Sequence, residues 1–210
     1  MTDPFARLLE GASEPLGPPE VTLTIDAGDA TRELTELLAA RNGFYALGSS
    51  LHVFPSPPSR ENHDIETWNA PDLWRDEYGD MADGHVFFGE DAFGNQFSLY
   101  DGRVVMFDAE TARIEKLAND VPGWVERIVA DHRVLTGWPV AIEWQERHGP
   151  LPPGKRLLPV KPFVLGGDYV VENLRAVDAV EGMRYRGYVA QRLRGVPDGT
   201  PVELRPAPTG

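Results

Sequence analysis

Apolar and polar residues change rhythm several times along this chain, and each change predicts an element. Val21 to Ile25 alternates V-T-L-T-I, the pattern of a strand with one buried face. Leu34, Leu37 and Leu38 then recur at helical spacing. They predict a helix capped by Asp29 or Thr31 that runs to about Arg41, where Asn42-Gly43 supplies a left-handed stop. Two short apolar runs, Phe44 to Leu47 and Leu51 to Phe54, predict a strand pair ended by Pro55, Pro57 and Pro58. Residues 55–70 read as loop, and Asp72 to Tyr78 as a helical turn carrying Leu73 and Trp74.

The stretch from His85 to Asp108 carries the strongest local signal. Gln96 to Tyr100 and Arg103 to Phe107 are rich in aromatic and β-branched residues, and Asp101-Gly102 between them predicts a two-residue hairpin turn. Phe87 and Phe88 are adjacent, so in a strand they point to opposite faces, and one is exposed unless both faces are covered. Thr111 to Lys116 predicts a further strand. Asn119 or Asp120 before Pro122 opens a helix over about 121–135, with Trp124, Val125, Ile128, Val129 and His132 at helical spacing and Gly137 as its stop. Trp138 to Arg147 is a second helix, with Ala141, Ile142 and Trp144 as its apolar positions. A turn-rich bridge follows from Gly149 to Pro159, and Phe163 to Tyr169 holds a Gly166-Gly167 bend. Asn173 to Val177 predicts a strand, Val180 to Arg194 a helix, and Val202 to Leu204 a last strand. These elements predict an α+β fold, a twisted and mainly antiparallel sheet flanked by helices, with a C-terminal α/β extension. The expected organisation is a flexible arm over 1–20, a core over 21–137, and an extension over 138–210 packed on that core.

Length supports this, since 210 residues can bury most of the apolar surface of one generous domain without staples. The absence of cysteine removes disulfides, thiolate zinc sites and cysteine nucleophiles together. No apolar run approaches the ~18 residues of a spanning helix, and the acidic, proline-rich first residues lack the pattern of a signal peptide. The expectation is a soluble cytoplasmic protein. Net charge is -13 and uneven: residues 1–137 carry -15, residues 138–210 carry +2. Such a field repels nucleic acid and anionic membrane and attracts cationic partners, although it also serves plain solubility.

Candidate chemistry is thin. Gly149 to Lys155 has the spacing of a phosphate-binding loop, but three of its four intervening residues are prolines without an N–H, and Arg156 stands where a hydroxyl should meet magnesium. The histidines at 52, 63, 85, 132 and 148 include no pair three or four apart, so no helical zinc pair exists. Ser49, Ser50 and His52 invite a nucleophile reading, with Ser50 and His52 on one strand face and no third group assigned. Glu90-Asp91 invites acid–base hydrolysis, but adjacent carboxylates in a turn ordinarily face solvent. No cofactor and no metal are expected. Phe93, an aromatic inside an acidic turn, is a candidate interface anchor, with core packing as the plainer alternative.

At these residues the chain resembles the SUKH superfamily, which includes yeast cell-wall assembly regulator homologues and bacterial toxin-immunity proteins. The matching parts are Asn42-Gly43-Phe44-Tyr45, Leu51-His52-Val53-Phe54-Pro55 and, above all, Phe87 to Phe97 (FFGEDAFGNQF). Phe107 to Thr111 and the helix from Trp124 to Ile128 look like the members' closing strand and helix. Trp144-Gln145, Arg156 to Pro159, Pro162 to Gly167 and Gly182 to Arg184 resemble a tail found in a bacterial subset. The resemblance spans about residues 21–205. Because its motifs mark a fold more than an activity, fold transfers better than function. It implies a non-enzymatic protein that binds and neutralises a cognate toxin. The function expected is therefore an immunity-type binding protein whose acidic face covers a cationic toxin, one directed at nucleic acid. Its expected contact residues are Glu90, Asp91 and Phe93 at the turn, with Trp68, Trp74 and Asp76 before it. The alternatives are a regulatory scaffold in secretion or cell-wall assembly and, more distantly, a hydrolase using Glu90 or Asp91.

Overall fold

In the computed structural model, residues 4–25, 28–57 and 63–208 are described, and all statements below concern them. Six strands form one antiparallel meander in chain order: β1 (Phe44–Ala46), β2 (Leu51–Val53), β3 (Val86–Asp91), β4 (Gln96–Tyr100), β5 (Arg103–Phe107) and β6 (Ile114–Ala118). A second sheet of two antiparallel strands, β7 (Lys155–Pro159) and β8 (Leu174–Asp178), lies beyond it. The helices are α1 (Pro4–Leu9), α2 (Asp29–Ala40), α3 (Ile65–Trp68), α4 (Val121–Leu135), α5 (Trp138–His148) and α6 (Ala179–Leu193). The α+β fold expected from the pattern is the fold found.

The local signals that held are those with a backbone reason. Asp101 and Gly102 both take positive φ, 47° and 67°, and pair Tyr100 with Arg103 across a two-residue turn. Asp120 caps α4 by accepting the Gly123 N–H at 2.7 Å, with Pro122 in the first turn. Gly43 is left-handed after α2, as expected, but the N-cap position of that helix is Gly28 rather than Asp29 or Thr31.

Phe87 and Phe88 are both fully buried, because both sheet faces are covered. Phe88 and Phe97 meet Trp124 of α4 edge-on, at ring separations of 5.0 and 5.3 Å. On the opposite face Phe87 packs against Trp74 and Phe107, and Phe107 against Tyr78. The segment between β2 and β3 thus supplies a lid of aromatics. Part of the expected 55–70 loop is the short helix α3, capped by Asp64 on the Thr67 N–H, while residues 58–62 lie outside the described residues.

Four expectations are corrected. Residues 4–20 are not a loose arm: α1 packs on α4 with Phe5 and Leu8 buried, and Ser13 and Leu16 donate backbone hydrogen bonds to Tyr45 and Asn42. Its proline-rich composition hid this because docking needs only two apolar side chains at helical spacing. Val21 to Ile25 is extended but joins no ladder; the Glu66 carboxylate takes its Thr24 N–H instead. Val202 to Leu204 likewise forms no strand. The bridge from Gly149 conversely ends in β7, whose partner β8 lies fifteen or more residues away and leaves no local signature.

Leu8→Ala is expected to lower unfolding stability by about 2–5 kcal/mol, the cost of truncating a packed leucine. Urea denaturation of the two proteins measures it; a loosely tethered segment would give no change.

Candidate functional site

The turn between β3 and β4 is where the two sheets meet, and its residues are buried rather than displayed. Glu90, Asp91 and Phe93 are 1%, 3% and 5% exposed. Trp68 and Trp74 are also buried, so of the six expected contact residues only Asp76 is exposed. The expected interface at the Gly89 to Asn95 turn is thereby corrected. A β-turn at a sheet end faces solvent only if nothing docks there, and here β7 does: the Leu157 N–H binds the Ala92 carbonyl at 2.8 Å. Phe93 accordingly packs into a second core with Ala92, Ala141, Trp144 and Leu157. It sits so close to Gly137 that a Cβ there would lie 2.2 Å from its ring.

Glu90 is the centre of a buried polar chain. Its Oε1 accepts from Arg156 Nε at 2.8 Å and lies 3.0 Å from His52 Nδ1. Gln96 Nε2 reaches Oε2 at 3.4 Å, and Gln96 Oε1 in turn accepts from the Trp68 indole at 2.8 Å. Cross-strand register places His52 directly opposite Glu90, and Glu90 opposite Gln96. Gly89 is needed beside them, since a Cβ there would stand 2.8 Å from the His52 carbonyl. Arg156 also donates to the Lys155 carbonyl and lies over the Tyr45 ring, whose hydroxyl accepts the Gly154 N–H at 3.0 Å. Burial alone would raise the Glu90 pKa. Arg156, His52 and Gln96 outweigh it and hold the carboxyl below its ordinary value. Burial lowers the His52 pKa to about 4 despite the Glu90 hydrogen bond, so the ring is neutral at pH 7. With Glu90 ionised, its proton belongs on Nδ1. Its Nε2 has no hydrogen-bond partner.

Asp91 is engaged separately. Its Oδ1 accepts the backbone N–H of Phe93 and Asn95 at 2.8 and 2.9 Å, and Oδ2 the Asn95 side-chain amide at 2.8 Å. Burial pushes its pKa up to about 6, against those donors and Arg186. This carboxylate shapes the turn. The two carboxyl groups thus face different tasks: Glu90 lines a cavity of about 250 Å³ beside His52, His63 and Trp68, whereas Asp91 is taken up by its own turn, so the two do not share one cleft as two-carboxylate hydrolysis requires. Ser50 bonds to Thr136 and to the Leu47 carbonyl, not to His52, which gives the nucleophile reading no serine–histidine pair. No group of three or more His, Asp or Glu residues among those described is arranged to hold a metal ion. The prolines of the Gly149 to Lys155 segment lead into β7 rather than forming a strand-to-helix phosphate loop.

Sequence reasoning named Glu90 and Trp68 but missed Arg156 as their partner. In the sequence Arg156 stands out as a residue that spoils a phosphate loop and as part of the tail resemblance, with nothing to tie it to Glu90, 66 positions away. Arg156 stands beside Lys155 at the head of Leu157-Leu158, and nothing in those neighbours marks it as the buried cation of the two.

Two predictions follow from this geometry. Arg156→Met leaves Glu90 charged and unpaired in the interior and is expected to cost about 3–5 kcal/mol, whereas Arg156→Met with Glu90→Gln should recover most of it. A double variant as unstable as the single one would show that the pair contributes no mutual compensation. The pH dependence has a definite sign. His52 and His85 fall from 6.5 to about 4 on folding, so the stability they confer is complete above pH 6.5 and is lost as pH falls toward 4. Asp91, raised from 3.8 to about 6, works in the opposite direction over much of that range, one proton against two. Denaturation midpoints should therefore decline from pH 6.5 to about 4, less steeply for His52→Gln. A flat profile would contradict neutral buried histidines.

No family model matches the chain, and no curated protein matches it. Among solved structures it is similar to the crystal structure of Atu4351 from Agrobacterium tumefaciens, at 14% identity and a TM-score of 0.56, over 97% of each chain. The likeness concerns fold, and it extends over both sheets.

Proposed function

We propose that this chain is a non-enzymatic, cytoplasmic binding protein of the immunity type, which neutralises a cationic, nucleic-acid-directed toxin by covering its surface. The observation that carries the reading is an exposed acidic segment between α3 and β3. Asp72, Asp76, Glu77, Asp80 and Asp83 all face solvent there. Asp80 pairs with Arg194, and the other four carboxylates form no ion pair with a described residue. The nearest cation in sequence, Arg75, turns inward and donates to the carbonyls of Asn69, Ala82 and His85.

The segment is rigidly mounted, which favours recognition over mere solubility. Arg184 donates to the Leu73 carbonyl and Gln191 to that of Tyr78, each at 2.7 Å. Gly187 lets α6 approach so closely that a Cβ would lie 2.7 Å from that of Glu77. Trp74 and Tyr78 anchor the same turns from inside. A preformed acidic surface loses little ordering entropy on binding and steers a basic partner at raised rates. Toxins that act on nucleic acid are commonly cationic because they must approach phosphate. The resemblance to the SUKH superfamily supports the same reading. Arg156 engages Glu90 and the Phe93 to Asn95 turn engages Asp91, which supports a binding role over the hydrolase alternative. No helix among the described residues is long and apolar enough to cross a membrane.

The test is capture of a partner from the native host by the full chain, repeated with Asp76→Lys/Asp83→Lys. The wild type should retain a basic protein, with an association rate that falls steeply as salt rises. The double variant should melt within a few degrees of the wild type and associate at least tenfold more slowly. Equal capture by both, or a salt-independent association rate, would sink the electrostatic-cover model.

A further inference from the structure

A second feature lies apart from the acidic segment. Between the β4 end of the main sheet, the loop after β5 and the 3₁₀ turn Phe163–Leu165 is a cavity of about 240 Å³. Its apolar wall is aromatic. Phe163 and Tyr169 stack at 3.8 Å with planes 5° apart, and Phe93 meets both edge-on, at 5.4 and 5.8 Å. Tyr169 is 61% exposed and Val164 is 42% exposed, so the wall opens to solvent.

The polar side of the cavity carries two carboxylates and two guanidinium groups. Asp108 Oδ1 already accepts from the Glu110 and Thr111 backbone and from the Thr111 hydroxyl, at 2.8–3.0 Å. Glu110 accepts the Val164 N–H at 2.8 Å and so holds the 3₁₀ turn in place. Arg186, by contrast, is 2% exposed and makes a single hydrogen bond, from Nη2 to the Leu157 carbonyl at 3.0 Å. It forms no ion pair with a described residue. Its charge is felt by Asp91 and Glu110, but Nε and Nη1 meet no hydrogen-bond acceptor among the described residues, on the side of the cavity that Arg186 lines. Glycines clear the space around it: a Cβ at Gly94 or Gly182 would lie 3.1 or 2.9 Å from Nη1. Arg113, exposed at the rim, has no side-chain hydrogen bond to a described residue.

We propose that this cavity binds a small carboxylic acid with a flat apolar body, the carboxylate on Arg186 and the body against Phe163, Phe93 and Tyr169. Three considerations select that chemistry. A fork of unused donors matches a carboxylate in two-point geometry. Asp108 and Glu110 in the same wall oppose any anion, and a dianion about twice as strongly as a monoanion, so a single carboxylate is favoured over a phosphate monoester. The volume lies below the ~300–1,000 Å³ of sites for drug-sized ligands, so the ligand is small. Phe93 thereby acquires a second task besides packing, as the meeting point of the aromatic wall and the turn that Asp91 holds.

Calorimetry on the full chain with phenylacetate as the probe tests this, with phenylacetamide and phenyl phosphate as comparators. Phenylacetate is expected to saturate one site, and each comparator to bind at least tenfold more weakly. Tyr169→Ala, at an exposed position where folding is not at risk, should weaken phenylacetate at least fivefold, and Arg113→Ala about twofold. Arg186→Met should abolish binding if its circular dichroism remains that of the wild type. If it does not fold, the Tyr169 and amide comparisons decide alone. No saturable binding of phenylacetate, an amide bound within threefold of the acid, or tighter binding of phenyl phosphate would each overturn the proposal.

Discussion

The buried ion pair between Glu90 and Arg156 is the interaction on which the arrangement of the two sheets depends. Both side chains are 2% exposed, and they join β3 of the main meander to β7 of the second sheet at 2.8 Å. Removing two charges from water costs several kcal/mol each, and mutual attraction offsets that only where geometry and further hydrogen bonds are good. Here His52, Gln96 and the Lys155 carbonyl supply them, while Arg156 Nη2 remains unsatisfied. The pair therefore specifies where β7 docks more than it adds to net stability. An apolar contact would hold the same surfaces together at many registers; a lone carboxylate in a closed interior accepts one.

From that constraint the fate of the neighbouring turn follows. Once β7 is held by Arg156, the Leu157 N–H meets the Ala92 carbonyl and the turn from Asp91 to Asn95 is covered. Asp91 can then be retained only with its oxygens occupied, as they are by three donors from Phe93 and Asn95. Phe93 is directed away from solvent into the space between α5 and β7, and Gly137 has to be glycine to admit it. A motif that reads as a display surface becomes the mortar between two layers.

The surfaces proposed for binding lie outside this seam. The exposed acidic turns from Asp72 to Asp83 and the aromatic cavity lined by Arg186 are two places where polar groups face solvent. They differ in kind. The acidic turns offer charge at long range, on a base stiffened by α6, whereas the cavity offers a few desolvated donors beside stacked rings. The first suits steering of a protein, the second the holding of a small molecule.

The sequence by itself determined the elements whose cause is local. Asp101-Gly102 needs no tertiary help to turn a hairpin, because its backbone preference is intrinsic. Asp120 with Pro122 starts α4 for the same reason, and Leu34, Leu37 and Leu38 show which face of α2 is buried. The α+β class, the mainly antiparallel sheet and the spans of α2, α4, α5 and α6 were legible on that basis, whereas α1 and α3 were not. What only the tertiary structure decided was burial at element ends. Glu90, Asp91 and Phe93 have the composition of an exposed turn, and nothing within a few residues reports that a strand 60 positions later will cover them. The alternation of Val21 to Ile25 marks a half-buried extended segment equally well with or without a neighbouring strand, and pairing is a property of the neighbour. Arg156 was unreadable for a related reason: which of Lys155 and Arg156 turns inward is decided by a partner, Glu90, that is near in space and distant in sequence.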